Sequence, residues 1–165
     1  MIQLWPFYGG NTDFEQLGMV IQIYIINLLL NKRFNDFKNS FNKTKLTYLI
    51  PDFQNPSATT YSEEKRAQVA NIIESQNGIL IEDSPYSELF FEKKEKSISS
   101  RLPKNSFHLG SFSKTLVPSF RIGWIRADEE LLKPLMIIKE SIDLHSCGIS
   151  QYILCEYLKD EKRYE

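Results

Sequence analysis

The segment Gly78-Ile-Leu-Ile-Glu-Asp83 narrows the fold of this chain more than any other. An apolar run ending in two acids is the pattern of a strand buried on both faces whose carboxyl end opens into a crevice. A well-marked helix precedes it. Ser62 is a good N-cap, Glu63 and Glu64 suit the positive end of the helix dipole, and Val69, Ile72 and Ile73 share one face. Gly78 sits where a glycine just past the helix end belongs. Further strands are expected at Met19–Ile26, at Leu46–Ile50 before Pro51, at Ser106–Gly110 and, as a fifth, at Arg121–Ala127. Arg33–Phe41 reads as a short helix. Asp128 caps another, which Pro134 restarts or kinks, with Leu135, Ile138 and Ile142 on one stripe, and Ser150–Leu158 reads as a last helix. Strands alternating with helices predict an α/β fold.

Composition bounds the function classes. At 165 residues, 42% hydrophobic and 25% charged, the chain has the make-up of a soluble globular domain with a real core. Its net charge of -1 gives no basic field for nucleic acid or an anionic membrane surface, so neither is expected as a partner. Cys147 and Cys155 have neither disulfide-framework nor zinc-ligand spacing, which fits a cytoplasmic location. The apolar stretch Met19–Leu30 is roughly half as long as a spanning helix. It is interrupted by Gln22 and Asn27 and reads as a buried core element, and the segment before it is unlike a signal peptide. Glu92–Ser100, with three lysines, reads as a solvated loop.

In open α/β sheets ligands bind outside the carboxyl ends of the strands. The residues that fall there are Asn55, then Asp83 and Tyr86, then Ser111, Ser113 and Lys114. This set suits neither a metal site nor a Ser/His/Asp triad. With Arg121 it offers two hydroxyls and a guanidinium in one segment, a phosphate grip. Taken singly, each residue has a plainer reading. Lys114 after a strand is a common surface lysine, Asn55-Pro56 an ordinary turn, and Arg121 a strand-edge ion pair. The strand ending in Glu82 and Asp83 looks like a Walker-B element, but the chain has no GxxxxGK[ST] loop to accompany it, and a metal pair there is weakly supported. His108 and His145 read as packed or surface histidines, and Trp5 and Trp124 as core.

Together the residues form motifs. Pro51-Asp-Phe-Gln-Asn-Pro56, Ile81-Glu-Asp-Ser-Pro-Tyr86, Gly110-Ser-Phe-Ser-Lys-Thr-Leu-Val-Pro118 and Arg121-Ile-Gly-Trp124 follow in order, and Pro6-Phe-Tyr-Gly-Gly10 adds a weaker fifth. In this the chain resembles the fold-type-I pyridoxal-phosphate aminotransferases. The likeness is greatest to the branch of aminoadipate and aromatic aminotransferases and the catalytic-like domains of certain transcription regulators. The resemblance implies the aspartate-aminotransferase-like large domain, a mostly parallel sheet flanked by helices, and pyridoxal 5'-phosphate as cofactor. Lys114 is then the Schiff-base lysine and proton shuttle, which needs a neutral amine. Asp83 pairs with the pyridine nitrogen, so that the ring can accept electrons. Tyr86 and Asn55 hydrogen-bond the phenolic oxygen, Tyr8 stacks on the ring, and Ser111, Ser113 and Arg121 hold the phosphate. Amino acids and 2-oxo acids are the implied substrates and a homodimer the implied assembly.

Departures from the family pattern set a second expectation. Ala58 stands where the family has glycine, which strains the turn. The glycine-containing phosphate loop and arm are expected to lie before Met1, and the small domain with the arginine that grips the substrate carboxylate beyond Glu165. Turnover depends on that grip. The competing reading is therefore a truncated or regulatory aminotransferase-like domain that at most binds the cofactor. This chain has no room for a winged-helix reader.

Overall fold

A computed structural model describes residues 45–143 and 145–159 of the chain. The strand expected at Met19–Ile26, the helix at Arg33–Phe41, Trp5 and Tyr8 lie outside the described residues. Strands Leu46–Leu49 (β1), Ile79–Asp83 (β2) and Ser106–Ser111 (β3) pair in parallel, and Gly123–Ala127 (β4) pairs antiparallel with β3. Among the described residues the result is one sheet of four strands in the order β1-β2-β3-β4.

Parallel neighbours need a crossover. Between β1 and β2 it contains helix Glu63–Ser75 (α1), where Ser62 accepts a hydrogen bond from the Lys65 amide at 3.3 Å. The other end of α1 corrects the sequence reading by one residue. Asn77, at φ 50°, takes the left-handed position expected of Gly78. Its amide donates to the Glu74 carbonyl at 3.0 Å, and the Gly78 amide donates to Ile73 at 2.8 Å. These two bonds close a Schellman motif, and asparagine tolerates the left-handed residue it requires.

Helix α1 lays Val69 and Ile73 against Leu49, Leu80, Ile98 and Leu102 to form the core. The expected burial of β2 holds on one face. Leu80 and Glu82 are fully buried, whereas Ile79, Ile81 and Asp83 are only partly covered among the described residues. Buried Glu82 accepts the amides of Ile98 at 2.9 Å and Ser99 at 2.7 Å, at the start of a 3-10 turn, Ser99–Arg101. Its carboxylate thereby anchors the loop after β2. Among the described residues no cluster of His, Cys, Asp or Glu could hold a metal ion.

A second buried charge ties the loop after β1 to α1. The Arg66 guanidinium has no solvent exposure and lies 2.5 Å from the Asp52 carboxylate. It also donates to the carbonyls of Tyr61 at 2.9 Å, Pro51 at 3.3 Å and Lys96 at 3.4 Å. The expected solvated loop Glu92–Ser100 is therefore solvated only in its first part: Lys96 belongs to this junction, and Ile98 and Ser99 are buried.

Strand β4 begins at Gly123, two residues after the expected start, because Arg121 is left-handed at φ 53° and cannot extend a strand. At the edge of the described sheet, it leaves Trp124 39% exposed, which corrects its reading as a core residue. Helix Glu129–Ile142 follows, with Asp128 accepting the Glu130 amide at 3.0 Å and Pro134 inside one continuous element. A last helix, Gly148–Leu158, starts two residues before the expected Ser150. Among the described residues no helix is long and apolar enough to cross a membrane.

Candidate functional site

Because β1, β2 and β3 run in parallel, their carboxyl ends share one edge of the sheet, and the predicted residues follow from there. Asp83 is the last residue of β2 and Tyr86 lies three residues on. Ser111 closes β3, and Ser113 and Lys114 lie in a single helical turn, Phe112–Thr115 (α2). The Lys114 ammonium lies 5.8 Å from the centre of the Tyr86 ring, so side chains from two separate strand ends meet.

Ser111 accepts the Ser113 amide at 3.2 Å, which leaves its hydroxyl hydrogen free to donate. The Phe112 amide donates to the Ile122 carbonyl at 3.1 Å, tying α2 to the segment that carries Arg121. Arg121 is exposed and, among the described residues, pairs with no carboxylate. Two hydroxyls and an unpaired guanidinium around one turn form a donor set suited to a phosphate group.

Asn55 stands apart. It lies in an exposed turn closed by a bridge between Gln54 and Thr59, next to a cis peptide bond to Pro56, and its carbonyl accepts from Gln54 at 2.6 Å. It makes no hydrogen bond to Asp83, Tyr86 or Lys114 among the described residues. Ala58 in this turn is left-handed at φ 53°, the conformation for which the family's glycine suits.

Asp83 has a partner that sequence reading missed. Tyr48 Oη donates a hydrogen bond to its Oδ2. Burial pushes the Asp83 carboxyl above its ordinary range, and the bond from Tyr48 pulls it back. Burial, then the Asp83 carboxylate, raises the Tyr48 phenol well beyond its usual range. The signal was present in the strand alternation, since Tyr48 and Asp83 fall on one face once Tyr48 pairs with Ile81.

Beside the site, β3 and β4 pair Gly110 with Trp124. A Cβ added at Gly110 would stand 2.2 Å from the indole, so this glycine is required by close packing. The same indole meets His108 edge to face at 5.1 Å. Burial, opposed by Glu82 and reinforced by Arg126, lowers the imidazole pKa. Arg126 lies 3.3 Å from His108 Nδ1, and because arginine can only donate, Nδ1 accepts and Nε2 carries the proton. His108 is thus a packed histidine, while His145 lies on the surface. A cleft of 490 Å³ lined by Ser84, Gly110, Ser111, Trp124, Tyr157 and Leu158 adjoins the strand ends. Its lining includes Ser111 but not Asp83 or Lys114.

Comparisons with known proteins agree with this architecture. The family model for aminotransferase class I and II matches residues 33–165. The chain is 35% identical to aromatic-amino-acid aminotransferase 1 of Thermococcus litoralis, over 79% of this chain and 32% of that protein. It is 34% identical to the HTH-type transcriptional regulator NorG of Staphylococcus aureus, over 94% of this chain and 36% of the regulator. Among solved structures, LysN, the α-aminoadipate aminotransferase of Thermus thermophilus, matches with a TM-score of 0.72 and 28% identity. That match covers 76% of this chain and 34% of LysN, whose structure is complexed with N-(5'-phosphopyridoxyl)-L-leucine. The kynurenine aminotransferase of Pyrococcus horikoshii matches with a TM-score of 0.71 and 31% identity, over 82% of this chain and 35% of the enzyme. The chain spans about a third of the length of the relatives it matches.

Proposed function

This chain belongs to the class I and II aminotransferase family, and from that premise we propose that it forms part of the cofactor-binding large domain of a pyridoxal-phosphate-dependent aminotransferase. The reaction moves an amino group between an amino acid and a 2-oxo acid. The observation that carries this reading is the approach of Lys114 to Tyr86 across two strand ends, on the edge where Asp83 ends β2. The unpaired Arg121 beside two hydroxyls supports a phosphate at the same edge.

When bound, pyridoxal phosphate supplies an electron sink for the electrons left by the substrate's α-proton. The chain's own residues do the rest. Asp83 holds a proton on the ring nitrogen, which makes that sink effective. Tyr86 and Asn55 would donate to the phenolic oxygen. Ser111, Ser113 and Arg121 grip the phosphate and fix the ring's direction. The resemblance would give Tyr8 the role of stacking on the ring. Lys114 would hold the cofactor through its aldehyde, and its amine would serve as general base and acid for the substrate's α-proton. Two copies of the full enzyme work as a homodimer in the cytoplasm.

Reductive trapping tests this reading. The chain is mixed with pyridoxal phosphate, treated with borohydride and digested. The expected product is a single phosphopyridoxyl peptide modified at Lys114, absent from the K114A variant. Modification at another lysine, or at none, overturns the assignment.

A further inference from the structure

A carboxylate can hold a ring nitrogen only if one oxygen is left for it and the group stays ionised. Sheet register supplies a residue for both tasks. Pairing of Tyr48 with Ile81 puts Asp83 two residues further along the same face, a diagonal that an aromatic side chain spans. Thr47 and Leu49 turn the other way, into the core. Tyr48 Oη donates to Oδ2 of Asp83, and no other hydrogen bond acts on that carboxylate among the described residues, so Oδ1 is free.

We propose that Tyr48 is a positioning residue of this site, holding Asp83 through Oδ2 so that Oδ1 is presented to the pyridine nitrogen and the carboxylate remains ionised. This rests on the aminotransferase reading of Asp83. A donated hydrogen bond favours the charged form of a carboxylate, whereas burial favours the neutral one, and here the two oppose each other. Little else intervenes. The neighbours on the same face, Ile81 on β2 and Leu109 on β3, are uncharged, and Tyr86 and Lys114 follow beyond the strand ends.

The test compares Y48F, which removes only the hydroxyl, with Y48L, which removes the ring as well. In the cofactor-free chain, the side-chain carbon resonance of Asp83 is followed against pH. In parallel, pyridoxal phosphate is titrated by absorbance. Y48F is expected to raise the Asp83 midpoint by about one pH unit and to weaken cofactor binding about tenfold, with an unchanged circular dichroism spectrum. If Y48F titrates and binds like the parent while Y48L does not, the ring only packs, and the positioning role is overturned. If the parent chain takes no cofactor, or D83N binds it as tightly as the parent, the aminotransferase reading of Asp83 fails instead. Tyr48's role toward the cofactor then falls with it, whichever way the carboxyl titrates.

Discussion

Ala58 holds a backbone conformation that its side chain disfavours by roughly 1–2 kcal/mol. Its amide donates to the Gln54 carbonyl at 2.6 Å, and that bond helps close the turn carrying Asn55. Replacing it with glycine relieves the strain, while the added freedom of the unfolded chain offsets part of the gain. A58G is therefore expected to stabilise the chain by roughly 0.5–1 kcal/mol, measured as a rise in the urea unfolding midpoint. An unchanged or lower midpoint would show that the turn relaxes around Ala58. The strain itself was legible in the sequence, because alanine stands where the motif has glycine. Arg121 was not legible in the same way. Nothing local favours its positive φ, which depends on the turn between α2 and β4. Asn77 and Gly78 form an intermediate case, since either residue accepts a left-handed conformation and only the hydrogen bonds to Glu74 and Ile73 decide between them.

Among the elements, β1, α1, β2 and β3 were readable from periodicity, capping and the proline after β1. What escaped sequence reading is what joins them. Arg66 looks like an ordinary helix residue, yet its guanidinium fastens α1 to the loops after β1 and after β2 from a fully buried position. Removing it strands the Asp52 carboxylate. R66M is expected to cost about 3–5 kcal/mol in chemical unfolding, whereas the double variant D52L/R66M, with no charge left to strand, should cost less. Equal losses would mean that packing, rather than the stranded charge, dominates. Tyr48 teaches the same lesson within the sheet. Its link to Asp83 exists only after β1 and β2 have chosen a register, so no single segment contains it. Gly110 is similar, since its need for glycine comes from Trp124 on the neighbouring strand.

At the scale of the whole molecule, the strand and helix order announced the α/β class, and the motifs named the candidate site residues. Hydrophobicity misled where the described chain leaves apolar surface uncovered. The apolar stripe on the helix after β4 is open, with Ile138 50% and Ile142 77% exposed, and Ile149 and Tyr152 on the last helix are similarly bare. An apolar surface of this kind binds hydrophobic dyes in the native state. The folded chain is expected to enhance the fluorescence of such a dye, and I142K should reduce the enhancement while moving stability by less than about 0.5 kcal/mol. A larger loss of stability would mean that Ile142 is packed in solution.

The reversal of β4 has a practical consequence. The polypeptide leaves the strand-end edge of the sheet at Gly123, travels to the opposite edge at Ala127, and yet ends its last helix with Tyr157 and Leu158 on the cleft that contains Ser111. Exposed Cys155 lies only two residues before that contact. A fluorophore attached there, with Cys147 replaced by serine, would make the helix an optical gauge of events at the mouth of the cleft.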